Sequence, residues 1–124
     1  MGMPLPKVSS PKSLPKAERI RKRAEYVSIQ TQGRKLSTPS FLAFTVWKAE
    51  APLRLGITVS RRVGGAVVRN RVKRLVREVF RHAKDRLPPG LQLVIVAKAD
   101  AAKLDFQRTR AEFLEICRRC TPRG

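Results

Sequence analysis

The sequence has few acidic residues. Only 9 Asp and Glu accompany 28 Lys and Arg in 124 residues, so the formal net charge is +19 at pH 7. Such an excess destabilises a compact fold through self-repulsion, and solubility alone requires a net charge of only roughly 2–8. Because a polyanion would neutralise the excess, the composition predicts nucleic acid as the partner. The carboxylates are also dispersed along the chain, whereas a nuclease that binds its own metal ions needs convergent ligands. We therefore expect no metal site and no catalytic residue in the polypeptide alone.

Cysteine and histidine are also scarce. Cys117 and Cys120 form a CRRC sequence, and His82 is the single histidine. A structural zinc site needs four ligands, and a redox CxxC normally opens a helix after a strand, whereas this pair closes a predicted helix. We expect Cys117 to be a small core residue, Cys120 to lie at a frayed helix end, and His82 to be a solvated helix residue.

Long hydrophobic runs are absent. No apolar segment approaches the roughly 20 residues that span a bilayer, and the N-terminus lacks the apolar stretch of a secretory signal. These observations predict a cytoplasmic protein with no membrane partner. Apolar residues make up 42% of the chain, too many for a disordered protein. We expect a disordered extension at residues 1–15, a single domain at 16–120 and a flexible tail at 121–124.

The most informative segment is residues 60–77, SRRVGGAVVRNRVKRLVR, which carries seven Arg and Lys residues and no carboxylate. Helical spacing predicts a helix over about 67–86 with an apolar face. That face consists of Val72, Leu75, Val76, Val79, Phe80 and Ala83. Cations project to the other side, namely Lys73, Arg74, Arg77, Arg81 and Lys84. Solvated faces usually alternate in charge, so this one is interpreted as a surface for a polyanion. We expect Asn70 to cap the helix or to bond a base or ribose, and Glu78 to pair with Arg74.

The remaining patterns predict an α-β-β-β-α-β-α order and therefore an α+β sandwich. A helix beginning near Lys16 or Ala24 would end at Gly33. Its apolar contacts would come from Ile20, Ala24 and Val27 and, less regularly, from Tyr26 and Ile29. Strands are predicted at about 34–37, 41–48, 53–60 and 91–97, and a helix capped by Asp105 would run to about Arg119, with Phe106 and Cys117 on its apolar side. Strand 53–60 has small outward residues. Beside the strand bearing Phe44, it would leave a shallow groove. Tyr26 and Phe44 would either pack in the core or stack on unpaired bases.

These residues resemble the protein subunit of bacterial ribonuclease P. The main match is LRLGITVSRRVGGAVVRNRVKRLVREVFR (53–81), with the family's Arg-Asn-Arg signature at 69–71, and the likeness extends over about residues 16–119. It implies a sandwich similar to the second domain of ribosomal protein S5, with a left-handed β-α-β crossover. It also implies an accessory subunit of an endoribonuclease whose RNA subunit is the catalyst and binds Mg²⁺. That enzyme removes the 5′ leader from precursor tRNA, and the protein would bind no cofactor and no small-molecule substrate.

The resemblance also implies roles for individual residues. Contacts with the catalytic RNA would come from Arg61, Arg62, Arg69, Asn70, Arg71, Lys73, Arg74 and Arg77. The groove for the precursor-tRNA leader would contain Tyr26, Phe44 and Lys98. A further aromatic position of the family is Gln30 in this chain, which predicts weaker or differently specific stacking. The alternative is a structural RNA-binding protein of the ribosomal type. A DNA-binding protein ranks last, because no helix-turn-helix or zinc module is recognisable.

Overall fold

The predicted order of helices and strands is confirmed. The computed structural model describes residues 18–120, and the expectations for residues 1–15 and 121–124 lie outside the described residues. The elements are α1 (Arg23–Gln32), β1 (Arg34–Ser37), β2 (Phe41–Trp47), β3 (Arg54–Thr58), α2 (Ala66–Ala83), β4 (Leu91–Ala97) and α3 (Phe106–Cys120). The basic helix is shorter than predicted, because a 3₁₀ turn replaces it at Lys84–Arg86.

The four strands form one sheet in the order β1-β2-β4-β3. β2 is antiparallel to β1 and to β4, whereas β3 and β4 are parallel and are joined through α2. The expectation that β3 lies beside the strand bearing Phe44 is therefore wrong. Phe44 pairs with Val94 of β4, and Val94 pairs in turn with Gly56 of β3. The hand of the β3–α2–β4 crossover and the likeness to ribosomal protein S5 stay predictions.

Alternation along the strands gives the sheet two apolar faces. Phe41, Ala43, Leu93 and Ile95 are buried on the face covered by α2 and α3. α2 contributes Val72, Val76, Val79, Phe80 and Ala83 to this core, as its spacing predicts, whereas Leu75 is only half-buried. The opposite face has a smaller core. There, Ile20 and Ile29 pack with Val94, and Tyr26, Phe44, Val46 and Val96 lie partly buried around them.

In the smaller core, the contacts of the first helix differ from the prediction. Ala24 and Val27 are exposed, and the buried contacts come from Ile29 of α1 and from Ile20 in the segment before it. This segment follows the edge of β3, where the Ile20 amide donates to the Leu55 carbonyl at 2.9 Å. Gly33 ends α1 as predicted, but for a packing reason. A Cβ there would lie 2.5 Å from the Ile29 oxygen and 2.8 Å from the Thr45 oxygen.

α3 begins as predicted, because the Asp105 carboxylate accepts a hydrogen bond from the Arg108 amide at 2.8 Å. The prediction for the two cysteines is reversed. Cys120 is buried at 3% exposure, whereas Cys117 is half-buried. Burial raises the pKa of both thiols, that of Cys117 to about 12, so both are protonated at neutral pH. None of the helices within residues 18–120 combines the length and apolar character needed to cross a membrane.

Candidate nucleic-acid interface

The outward side of α2 presents cations to solvent. Arg74 and Arg81 are exposed, as are Arg61 and Arg62 in the turn that precedes the helix. Asn70 is also exposed, but it does not cap the helix, because the N-cap residue is Gly65. Arg61, Arg62, Asn70, Arg74 and Arg81 thus share one exposed surface, which we call the basic face of α2.

Two residues of the Arg-Asn-Arg segment also stabilise the fold. The Arg69 Nε donates to the Gly64 carbonyl at 3.2 Å and so connects the helix to the preceding turn. The Arg71 guanidinium donates to the Leu104 carbonyl in the segment before α3. A guanidinium has five N–H donors, so each side chain keeps donors for a phosphate. Replacing either arginine would consequently change the fold as well as the surface.

The predicted pairing of Glu78 with Arg74 is wrong. Glu78 contacts Arg81 at 2.7 Å and His82 at 3.1 Å, three and four residues further along the helix. Within residues 18–120, Arg74 has no carboxylate within ion-pair distance. His82 is exposed, as expected. The positive charge of Arg74 is thus left for an external anion.

Lys73 and Arg77 are half-buried on one flank of α2 and are not on its outermost side. Arg77 lies with Arg19 and Tyr26 around a small cavity at the edge of β3. Burial lowers the pKa of Arg77, and the positive charge of Arg19 lowers it further, although an arginine stays protonated at neutral pH. Arg77 therefore connects the basic face of α2 with the side of the sheet that carries α1.

Tyr26 occupies the place where the sequence predicted an open groove. Its hydroxyl accepts a hydrogen bond from the Ile57 amide at 3.1 Å, and its ring lies over Gly56. A Cβ at position 56 would lie 2.9 Å from two atoms of that ring and from its hydroxyl oxygen. Burial raises the pKa of Tyr26, so its hydroxyl stays protonated at neutral pH. The absence of a side chain at Gly56 thus makes room for the Tyr26 ring, and this ring fills the space where an open groove was predicted.

An open depression of about 370 Å³ lies beside Tyr26, which we call the α1 depression. It is lined by Arg21, Arg23, Tyr26, Val27, Gln30 and Thr58. Gln30 therefore does lie next to Tyr26, at the position where relatives were expected to carry an aromatic residue. Arg21 and Arg23 were not among the predicted site residues, although the basic run before Tyr26 was a visible signal in the sequence.

Phe44 and Lys98 lie on the same sheet face as Tyr26. Phe44 packs, half-buried, against the small core. Lys98 follows Val94 and Val96 in the alternation of β4, and its Nζ donates to the Ser37 hydroxyl at 2.7 Å and to the Thr38 carbonyl at 2.8 Å. These bonds hold its charge at the turn between β1 and β2, with one N–H left for a ligand. In residues 18–120, no group of three or more His, Cys, Asp or Glu side chains could hold a metal ion.

Comparison with known proteins identifies the family. The family model described as Ribonuclease P matches residues 14–121. The chain belongs to this ribonuclease P protein family. The ribonuclease P protein component of Desulfovibrio desulfuricans is 46% identical over 110 residues, which cover 86% of this chain and 85% of that protein. That of Geotalea uraniireducens is 41% identical over 107 residues, covering 86% and 94%.

Solved structures of the family have the same fold. The ribonuclease P protein of Thermotoga maritima matches with a TM-score of 0.76 at 31% identity, covering 85% of this chain and 99% of that one. The protein of Staphylococcus aureus matches with a TM-score of 0.75 at 30% identity, covering 84% and 94%. A further S. aureus structure is described as a mutant with defective mRNA degradation activity.

Family membership confirms the main interpretation of the sequence. The chain is a protein component of ribonuclease P, an RNA-binding subunit of a ribonucleoprotein that processes tRNA, and the ribosomal-type alternative is not favoured. An RNA subunit is accordingly its partner. The assignment of single residues to the catalytic RNA or to the leader stays a prediction.

Proposed function

We propose that the chain, in the cytoplasm, assists a catalytic RNA subunit in removing the 5′ leader from precursor tRNA. The observation that carries the proposal is the junction at Arg77. There the basic face of α2 meets Tyr26 and the α1 depression. One protein thus offers a cationic helix to a folded RNA and, around the sheet edge, an aromatic and cationic site to a single strand.

The basic face of α2 would bind the RNA subunit. Arginine binds phosphate through two parallel N–H donors, and lysine acts as a mobile point charge. Arg74, exposed and without a carboxylate partner among residues 18–120, is the best placed of these cations. Arg61, Arg62, Asn70 and Lys73 would extend the same contact. The Mg²⁺ of the reaction would be bound by the RNA, and we assign no residue of this chain to it.

The α1 depression would bind the leader. Unpaired bases stack on aromatic rings with about 1–3 kcal/mol per base, largely independent of sequence. Tyr26 is fixed at its hydroxyl end, and Phe44 lies on the same sheet face. Arg21, Arg23 and Lys98 would contact the leader phosphates. Because Gln30 replaces a third aromatic residue, we expect fewer stacked bases than in relatives that have one there.

Reconstitution tests the proposal. The purified chain is combined with bacterial ribonuclease P RNA at low magnesium concentration, and leader-bearing precursor tRNA is added. We expect faster release of the leader than with RNA alone, and no gain in cleavage would refute the proposal. A parallel incubation of the protein alone with mRNA tests whether the polypeptide cleaves RNA without the RNA subunit, and we expect no cleavage.

Two variants separate the surfaces. Arg74→Ala should weaken assembly with the RNA subunit, whereas Phe44→Ala should chiefly weaken binding of precursor tRNA relative to mature tRNA. Arg34→Ala is the matched control, because Arg34 is exposed on β1 and has no ion pair within residues 18–120. If Phe44→Ala kept the full preference for precursor over mature tRNA, the assignment of this face to the leader would be wrong.

A further inference from the structure

A second depression, of about 390 Å³, lies between the C-terminal part of α2 and the first turns of α3. It is lined by Val79, His82, Ala83, Arg86, Phe106, Arg110 and Leu114, and we call it the α2–α3 depression. Its size lies within the range of about 300–1,000 Å³ that is usual for ligand sites. It is on the opposite side of the sheet from the α1 depression and includes none of the residues assigned above to RNA.

The lining combines an apolar floor with an aromatic wall. Val79 and Ala83 are buried at the base, where they belong to the main core. Phe106 was expected to pack along the apolar side of α3, but 36% of it is exposed. Its ring meets the His82 ring edge-to-face, with 6.1 Å between centroids and 80° between planes. An aromatic ring thus stands at the wall of the depression in a fixed orientation, with part of its surface uncovered.

The rim of the depression is cationic. Arg86 and Arg110 are exposed, and neither has an ion pair within the described part of the chain. Three nearby arginines differ in having a carboxylate partner: Arg81 pairs with Glu78, Arg108 with Glu112 and Arg118 with Glu115. Unpaired guanidinium groups beside an exposed aromatic ring suit single-stranded nucleic acid, because the ring stacks on a base while the cations bind the adjacent phosphates.

We propose that the α2–α3 depression binds an unpaired nucleotide of the RNA subunit, with its base against Phe106 and its phosphates at Arg86 and Arg110. The inference rests on the proposed function, since it requires assembly with that RNA. A base within a duplex cannot reach a ring at the wall of a depression, whereas a looped-out base can. RNA is favoured over a second copy of this chain, because two molecules each carrying a formal charge of +19 repel one another.

The test measures binding of the full chain to ribonuclease P RNA by titration over a series of salt concentrations. Phe106→Leu keeps the apolar bulk but removes the stacking surface, and we expect about tenfold weaker binding. Arg110→Gln and Arg86→Gln each remove one charge from the rim. Each should reduce the slope of log affinity against log salt by about 1. Arg34→Gln removes the same charge at the distant sheet edge and should leave both quantities unchanged.

The outcomes distinguish this inference from the proposed function. If the α2–α3 variants bind as tightly as Arg34→Gln while Arg74→Ala is weakened, the depression is not an RNA site and the proposed function stands. If the wild-type chain itself neither binds the RNA nor increases cleavage, both proposals fail. A dimer in sedimentation that is lost in Phe106→Leu, with RNA affinity intact, would replace the inference by a self-association surface. Thermal unfolding checks each variant, and Arg86→Gln preserves the test if Phe106→Leu is unfolded.

Discussion

A buried carboxylate on α3, Glu112, gives the most quantitative prediction. Its side chain is 6% exposed, and it holds the turn between β1 and β2 against α3. The Thr38 hydroxyl donates to Oε1 at 2.7 Å, the Ser40 amide donates to Oε1 at 2.8 Å, and the Ser40 hydroxyl donates to Oε2 at 2.8 Å. Arg108 adds a positive charge at 3.4 Å. The same turn receives the ammonium group of Lys98, so Glu112 also positions a predicted leader contact.

Glu112→Gln keeps the shape of the side chain and removes its charge. Hydrogen bonds to charged groups contribute about 1.5–3 kcal/mol each, but the glutamine retains one acceptor oxygen. We therefore expect a loss of about 2 kcal/mol in the free energy of unfolding. For a domain of this size that corresponds to a fall in Tm of roughly 8 °C. Glu115→Gln is the matched control on the same helix. Because Glu115 is paired only at the surface, with Arg118 at 2.6 Å, its replacement should cost much less stability than that of Glu112.

The effect of Glu112→Gln should depend on pH in one direction. Burial raises the pKa of Glu112, but the hydrogen bonds from Thr38 and Ser40 and the charge of Arg108 lower it more, so it lies below the ordinary value of 4.5. A carboxyl whose pKa is lower in the folded state stabilises the protein above its unfolded pKa and loses that contribution as the pH falls through its folded pKa. The difference between wild type and Glu112→Gln should therefore be constant near neutral pH and shrink below about pH 4.5.

Urea unfolding followed by circular dichroism, repeated between about pH 7 and pH 2, measures this difference. A gap that stayed constant down to the lowest pH would show that ionisation of Glu112 contributes nothing to stability. A loss in Glu112→Gln no larger than in Glu115→Gln would show that the buried hydrogen bonds are replaced at no cost. Either result would refute the reasoning.

Three other substitutions test single contacts. Gly56→Ala would place a Cβ 2.9 Å from the Tyr26 ring, so the ring must shift. We expect the Kd for precursor tRNA to rise several-fold and the Kd for mature tRNA to stay unchanged. Arg54→Gln removes the two hydrogen bonds to Glu25, at 2.6 and 3.0 Å, and should lower the free energy of unfolding by about 1 kcal/mol in urea; no loss would show that solvent screens the pair completely. Gly90→Ala forces a φ of 93° on an L residue and places a Cβ 2.9 Å from the Lys48 oxygen. We expect the free energy of unfolding in urea to fall by about 1–3 kcal/mol, and an unchanged unfolding midpoint would contradict this expectation.

Local patterns were sufficient to predict the elements of this fold. Helical spacing identified the buried face of α2, and the alternation of Leu55 and Ile57 identified the core side of β3. The position of β4 was not predictable in the same way. It lies between β2 and β3, and strand neighbours depend on where α2 returns the chain and not on the pattern within any one strand. The shallow groove was therefore predicted in the wrong place.

Only part of the candidate site was predictable from the sequence in the same way. Exposed cations such as Arg74 follow from helix geometry, because the side opposite a buried face must meet solvent. The contacts that support the site do not follow from helix geometry. Thr38 and Glu112 are 74 residues apart in the chain, and their contact depends on the packing of α3 against the hairpin of β1 and β2. Tyr26 was predicted as a stacking residue, but its attachment to Ile57 requires the tertiary structure.

The junction of the two proposed RNA surfaces explains why so much positive charge is compatible with this fold. Arg19 and Arg77 lie beside Tyr26, and no carboxylate within residues 18–120 forms an ion pair with either. Partial burial and mutual repulsion disfavour the charged form of Arg77 in the isolated protein, as its lowered pKa indicates. A phosphate at this point would reverse both effects, since it pairs with the guanidinium groups and replaces the water they have lost. If RNA binds there as proposed, the repulsion that costs stability in the free chain would become affinity in the ribonucleoprotein, at the position where the basic face of α2 meets the α1 depression.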